Sequence, residues 1–197
     1  MKLPIVAYGD PILRKECEEI TAEYKDLDKL LENMFETMYA AKGVGLAAPQ
    51  IGLNIRLFIV DATPFAEIPE DGTEEDIDTT CIDFKRVFIN PILFDEEGEE
   101  WAFEEGCLSI PGIREEVMRK PNLKIEYYDE NWELFEEELT GFAARVVQHE
   151  YDHIEGILFT DLIKPLKRTM LVSKLNDITK GKVKVDYRMK FPKKKKK

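Results

Sequence analysis

Apolar residues recur along this chain with two different periods, and the changes of period divide it into elements. Within residues 22–41, Leu27, Leu30, Leu31, Met34, Phe35 and Met38 share one helix face while Lys and Glu take the other, which predicts an amphipathic helix across the stretch. Gly43 and Gly45 close that helix and open a loop of small residues, 43–52 (GVGLAAPQIG). Residues 54–61 (NIRLFIVD) and 86–93 are short runs rich in β-branched and aromatic residues, and read as strands. Over 122–139 an alternating pattern stops at Asp129-Glu130-Asn131 and resumes, the mark of a hairpin. Helical spacing returns from about Gly141, with Thr140 as the expected N-cap and Gly156 just past the end. It returns again over 165–179 through Leu166, Met170, Leu171, Leu175 and Ile178. Beyond Gly181, Val183, Val185, Tyr187 and Met189 alternate with Lys184, Asp186, Arg188 and Lys190, predicting a final strand. Strands and helices are segregated rather than strictly alternating, so the fold class is α+β. With no internal repeat and no linker, 1–197 reads as a single domain.

At 44% hydrophobic and 35% charged residues, the chain is neither disordered nor low in complexity. No apolar run approaches the ~20 residues of a membrane span. The opening MKLPIVAYGD lacks the long apolar stretch of an export signal, so no membrane is expected and the cytoplasm is the expected compartment. Three cysteines, Cys17, Cys81 and Cys107, without regular spacing argue against a disulfide framework. The net charge of −12 conceals a split: residues 164–197 carry 14 of the 28 Lys and Arg with only Asp177 and Asp186, while the other 38 acids lie before them. A body of that sign repels nucleic acid, so DNA is not an expected partner. Residues 61–83 hold nine acids and no base, as a solvated insertion between two strands would. The basic tail 191–197 ends in five lysines.

Chemistry concentrates after Thr140, in His149-Glu150-Tyr151-Asp152-His153. Four residues apart on a helix, the two imidazoles lie one above the other and can grip one metal ion. Glu150, rotated by about 100°, is then free to reach a water beside that ion. The chain has no other histidine, and two scattered among 197 positions would fall four apart only about 1% of the time, so chance explains the pair poorly. Phe142 and Val146 continue the same stripe. A catalytic ion needs a third protein ligand. The position six residues after His153 is Phe159 and no Glu follows Glu155, which leaves Asp161 and Asp177 open. A better donor lies upstream, Cys107 in residues 104–112 (EEGCLSIPG), where flanking Gly and Pro point to an irregular strand edge.

Three segments together, 43–52 (GVGLAAPQIG), 105–109 (EGCLS) and 148–153 (QHEYDH), resemble the signature motifs of the peptide deformylases in order and spacing, and the likeness extends over roughly 3–165. The resemblance implies small antiparallel sheets packed around a central helix carrying the H-E-x-x-H. A second long helix would precede it, and a C-terminal helix and short strand would follow. It implies that Cys107, His149 and His153 bind one divalent ion, Fe(II) in most members with zinc or nickel able to take its place, and that water holds the fourth position. The implied substrate is an N-formyl-methionyl nascent peptide, and the products are formate and a free N-terminus. Glu150 would act as general base and then acid, with the Gln50 side chain and the Leu108 backbone N–H steadying the oxyanion. The methionine pocket maps onto Val44, Phe103, Phe142, Val146 and the His149 ring, with Gly45, Glu105 and Gly106 beside the substrate. Glu105 and Arg119 match a pair that braces the Cys107 loop. Because such a substrate emerges from the ribosome, the basic segment 164–197 is a candidate contact for its RNA, the alternative reading being a solvated, disordered end.

Overall fold

A computed structural model describes residues 1–67 and 77–192. In chain order the elements are β1 (Ile5–Val6), α1 (Leu27–Ala40), β2 (Gly45–Ala47), β3 (Leu57–Asp61), β4 (Lys85–Glu97), β5 (Trp101–Cys107), β6 (Ile110–Arg119), β7 (Asn122–Tyr128), β8 (Leu134–Leu139), α2 (Gly141–Ile154), α3 (Phe159–Leu162), α4 (Pro165–Thr179) and β9 (Met189–Lys190). An antiparallel sheet of order β2-β3-β4-β7-β8 forms the frame, β5 and β6 make a separate hairpin, and β1 pairs with β9.

The unbroken apolar run of β3 has a direct cause: helices cover both faces of the sheet there. Leu57 and Ile59 pack with Leu31, Met34 and Met38 of α1. Phe58 and Val60 pack with Ala143, Ala144 and Val147 of α2. A strand buried on both faces needs no polar positions, so Leu57–Val60 shows none before Asp61 ends the strand. The helix α2 is therefore enclosed, with its alanine side on the sheet and Phe142, Val146 and His149 lining a cavity towards the β5–β6 hairpin.

Several boundaries differ from the sequence expectation. The first helix begins at Leu27 rather than residue 22, because Asp26 takes a left-handed conformation (φ 58°). The loop of small residues contains β2 and a 3-10 turn, Ala48–Ile51. Strand β4 runs on to Glu97, with its register against β7 shifting between Ile89 and Ile92. Asn90 (φ 48°) and Pro91, which has no N–H for the ladder, sit at that shift. The hairpin at 122–139 forms as expected, with Leu123 opposite Leu139 and the Asp129 carboxylate accepting the Asn131 and Glu133 N–H groups. The last strand is shorter than 183–190: only Met189 and Lys190 pair, and they do so parallel to Ile5 and Val6, so not every pairing is antiparallel. Lys184 to Tyr187 instead line the cavity.

The acidic insertion also differs from a purely solvated one. Thr140 stands at the N-cap of α2, but its side chain makes no capping bond. The Phe142 N–H donates instead to Asp78 Oδ2 at 3.0 Å. Gly141 (φ +61°) permits this approach, since a Cβ there would lie 2.8 Å from Thr80 Oγ1. On the insertion's other flank, Phe65 stacks on Phe142 at 5.2 Å between ring centroids. Residues 68–76 of the insertion and 193–197 of the basic tail lie outside the described residues.

Candidate active site

The helix α2 and the end of β5 bring three soft donors together. Cys107 Sγ and one ring nitrogen each of His149 and His153 lie within 4.8 Å of one another, the only such cluster of three among the described residues. Cys107 Sγ is 3.2 Å from His153 Nε2. The ladder between β5 and β6 loses register between Gly106 and Cys107, which is the irregular edge expected there. Burial, assisted by the facing His149, pushes the His153 pKa well down and leaves that imidazole neutral. A cysteine sulfur with two imidazole nitrogens suits iron, zinc or nickel rather than the hard cations, so the residues present fit a divalent transition ion. Both acids left open lie outside this cluster: Arg14 and Arg168 pair with Asp161 and the Leu158 N–H donates to it, while Asp177 lies near Lys182.

Behind the donors lies a closed set of charges. The Glu105 carboxylate accepts from Arg119 Nε at 2.7 Å, Arg119 Nη2 at 3.0 Å and Arg145 Nη1 at 2.8 Å, and lies 2.9 Å from His149 Nδ1. Arg119 reaches on to Asp152 at 2.9 Å. Burial alone would raise the Glu105 pKa, but its bonds to His149 and Arg119 outweigh that and hold it well below the usual carboxylate range. Two arginines thus face two carboxylates out of water, and the His149 ring is locked with its other nitrogen free for a metal. Glu105 lines the cavity, and its carboxylate is taken up by this bracing.

Glu150 is 4% exposed and its Oε2 has no hydrogen-bond partner among the described residues. Burial pushes its pKa up to about 7, with Glu105 and Asp152 adding and His149 opposing. A carboxyl poised near neutrality can both take and return a proton. Gly45 is required by this carboxyl: a Cβ at 45 would lie 2.7 Å from Glu150 Cδ, a demand made by the protein itself rather than by an approaching substrate. Gln50 is 1% exposed, its Oε1 accepts the Ala47 N–H at 2.8 Å, and its amide nitrogen lies 3.4 Å from both Cys107 Sγ and Ser109 Oγ. The Leu108 carbonyl accepts from Tyr187, whereas its N–H donates to nothing among the described residues. Around these groups opens a cavity of about 650 Å³. Val44, Gly45, Gln50, Phe103, Glu105, Gly106, Cys107, Leu108, Phe142, Val146, His149 and Glu150 all line it, so of the candidate residues only the deeper His153 does not.

Five residues at or behind the site escaped the sequence reading: Phe65, Asp78, Arg145, Asp152 and Tyr187. Arg145 stands four residues before His149, so helical spacing could have placed it beside the ligand stripe. Asp152 sits inside the H-E-x-x-H itself. Phe65, Asp78 and Tyr187 carry no local signal, because only tertiary packing brings them in.

Comparison with known proteins agrees with this geometry. The polypeptide deformylase family matches residues 2–169. The peptide deformylase of Christiangramia forsetii is 55% identical, over 100% of this chain and 99% of the relative. That of Flavobacterium psychrophilum is 58% identical, over 99% of this chain and 100% of the relative. Among solved structures, the peptide deformylase from Thermotoga maritima has a TM-score of 0.70 and 39% identity, covering 84% of this chain and 99% of that one. Arabidopsis thaliana peptide deformylase 1B has a TM-score of 0.76 and 35% identity, covering 91% of this chain and 92% of that one. The chain belongs to the peptide deformylase family, metal-dependent hydrolases that remove the N-formyl group from the first methionine of newly made proteins and release formate.

Proposed function

We propose a division of labour for this hydrolysis among the residues around the cavity. Cys107, His149 and His153 hold the ion, and Fe(II) is the physiological one. When bound, a divalent ion at these donors supplies Lewis acidity, making a water nucleophilic near neutral pH and polarising the formyl carbonyl. Glu150 takes the proton from the attacking water and hands it to the departing amine. The Gln50 amide and the Leu108 N–H donate to the oxyanion that develops on the formyl oxygen. Val44, Phe103, Phe142 and Val146 receive the methionine side chain, and the backbone at Gly45 and Gly106 runs beside the peptide.

The observation that carries this reading is the convergence of one sulfur and two imidazoles within 4.8 Å beside a buried, unpartnered carboxyl oxygen. The test is Glu150→Gln, assayed by formate release from a formyl-Met peptide. Metal content should stay at one per chain while kcat falls by at least ~10²-fold. Loss of the metal would make Glu150 a ligand and sink the scheme. Fe(II) predicts in addition that protein purified without oxygen loses activity in air, whereas a nickel-substituted form does not.

The protein works in the cytoplasm, where nascent chains emerge, and the basic segment 164–197 contacts ribosomal RNA. In support, that segment has the only charge excess opposed to the acidic body. Lys164, Lys167, Arg168 and Lys182 already lie near acids of the chain, so the contact leans on the terminal lysines. Deleting 192–197 should weaken co-sedimentation with ribosomes at low salt while turnover of a short formyl peptide is unchanged. Undiminished binding would refute the contact.

A further inference from the structure

The family match covers residues 2–169, and beyond it Lys184, Val185, Asp186 and Tyr187 also line the catalytic cavity. These residues arrive there by a defined route. After α4 the chain turns at Gly181 (φ +74°), passes along the cavity, and is pinned beyond it where Met189 and Lys190 pair with Ile5 and Val6. Between those anchors the Tyr187 hydroxyl donates to the Leu108 carbonyl at 2.7 Å. The next carbonyl, that of Ser109, accepts the Tyr8 N–H at 2.8 Å, from the strand side of the same clamp. Consecutive carbonyls of the Cys107 turn are therefore held from outside the hairpin that carries it.

The Leu108 N–H shares a rigid peptide plane with the Cys107 carbonyl, and the Leu108 carbonyl lies in the next plane, so holding that carbonyl limits rotation about the Leu108 Cα that joins the two. The Leu108 N–H is the one left without an acceptor, and it belongs to a residue that lines the cavity. We propose that Tyr187 is a positioning residue for catalysis: by holding the Leu108 carbonyl it keeps the Leu108 N–H aimed at the oxyanion, which makes the C-terminal strap part of the catalytic apparatus. The inference rests on the assignment of Leu108 as an oxyanion donor. A preorganised donor acts on the transition state more than on bound substrate, so its loosening is read in kcat rather than KM.

The experiment compares Tyr187→Phe, which removes one oxygen and keeps the ring, with Gln50→Ala, which removes the other oxyanion donor. Both are assayed as metal-loaded full chains on a short formyl-Met peptide. Tyr187→Phe is expected to lower kcat about tenfold, with KM within twofold and metal content unchanged. Gln50→Ala is expected to lower kcat by about a hundredfold or more. If Gln50→Ala is impaired but Tyr187→Phe keeps its kcat, or loses only KM or metal, the strap is no more than a wall and the inference is overturned. If Gln50→Ala keeps its kcat, the oxyanion reading itself fails and takes the inference with it.

Discussion

The cavity has two walls, built by opposite means. The wall that holds the ligands comes from α2, β2 and β5, and behind it Glu105, Arg119, Arg145 and Asp152 form a buried, mutually paired set. The facing wall comes from Phe65 and residues 184–187, on segments at the rim of the fold. Phe65 stacks on Phe142 and bonds through its backbone to Ala62 and Asp78, and the strap is held by the Tyr187 bond, a two-residue strand pair and apolar packing of Val183, Tyr187 and Met189. A misplaced ligand costs catalysis outright, so the first wall is over-determined. On the proposed function the second meets a flexible peptide, for which a few adjustable contacts suffice. Tyr187 aside, whose bond reaches the Leu108 carbonyl, chemistry and grip are thus separable, and substitutions in the two walls should fail in different ways.

The largest effect belongs to Glu105→Ala. It leaves Arg119 and Arg145 buried without their shared partner, for which about 3–5 kcal/mol of stability is expected to go. It also frees the His149 ring, so metal affinity should fall by about 10–100-fold. Both are read from denaturant unfolding and metal titration; a variant with unchanged metal affinity would show that the bracing is decorative. The pH dependence follows in sign. The folded pKa of Glu105 is depressed, so its contribution is fully present above the ordinary carboxylate value of 4.5 and is lost as pH falls through the depressed value. Glu105→Gln should accordingly unfold in acid with a shallower loss of stability than the parent.

Next is Gly45→Ala, aimed at the same wall but at its chemistry. The added methyl would overlap the Glu150 carboxyl and move the proton acceptor from its place. A fall in kcat of about a hundredfold is expected with metal still bound, because the atoms nearest the added methyl are those of Glu150 and not of a ligand. Metal loss together with activity would mean that the wall cannot be perturbed one group at a time.

A smaller effect is expected from Asp78→Ala, at the joint between the walls. The Asp78 carboxylate is the only side-chain cap found on α2 among the described residues, and losing a cap costs about 1 kcal/mol. Thermal unfolding should shift down slightly while kcat stays near the parent value. A stability equal to that of the parent would return the capping role to Thr140.

The same division explains what could be read from the chain before its fold was known. Residues 149–153 and 43–52 announce themselves because a helix repeats every 3.6 residues and a tight turn demands small side chains, both local rules. The α+β class, the helices α1 and α4 and the 122–139 hairpin follow from equally local periods. Cys107 was visible only as a better donor than Asp161, and the family likeness made the choice that spacing alone left open. The β5–β6 hairpin shows no clean alternation, since Glu104, Glu105, Glu115 and Glu116 break it, and one of these is turned inward by Arg119 and Arg145. The short parallel pairing of β9 with β1 joins residues 5 and 189, a separation over which no pattern in either segment speaks. Phe65 and Tyr187 fall in the same class: each matters through a partner far along the chain.

Phe65→Ala probes the second wall alone. The ring lies parallel to Phe142 at 5.2 Å and lines the cavity on the side where Phe103 and Phe142 meet edge to face at 4.7 Å. Removing it widens the apolar pocket and forfeits one aromatic contact, worth about 0.5–1.5 kcal/mol, which corresponds to a roughly two- to twelvefold rise in KM for a formyl-Met peptide. No ligand, proton carrier or oxyanion donor touches Phe65 in a way that would transmit the loss to kcat, so kcat should hold within about twofold. The widened pocket should also discriminate less between formyl-Met and a formyl peptide beginning with a bulkier apolar residue, since shape exclusion weakens before hydrophobic attraction does. A kcat loss matching that of Gly45→Ala would show that both walls act as one body, and the separation of grip from chemistry would have to be given up.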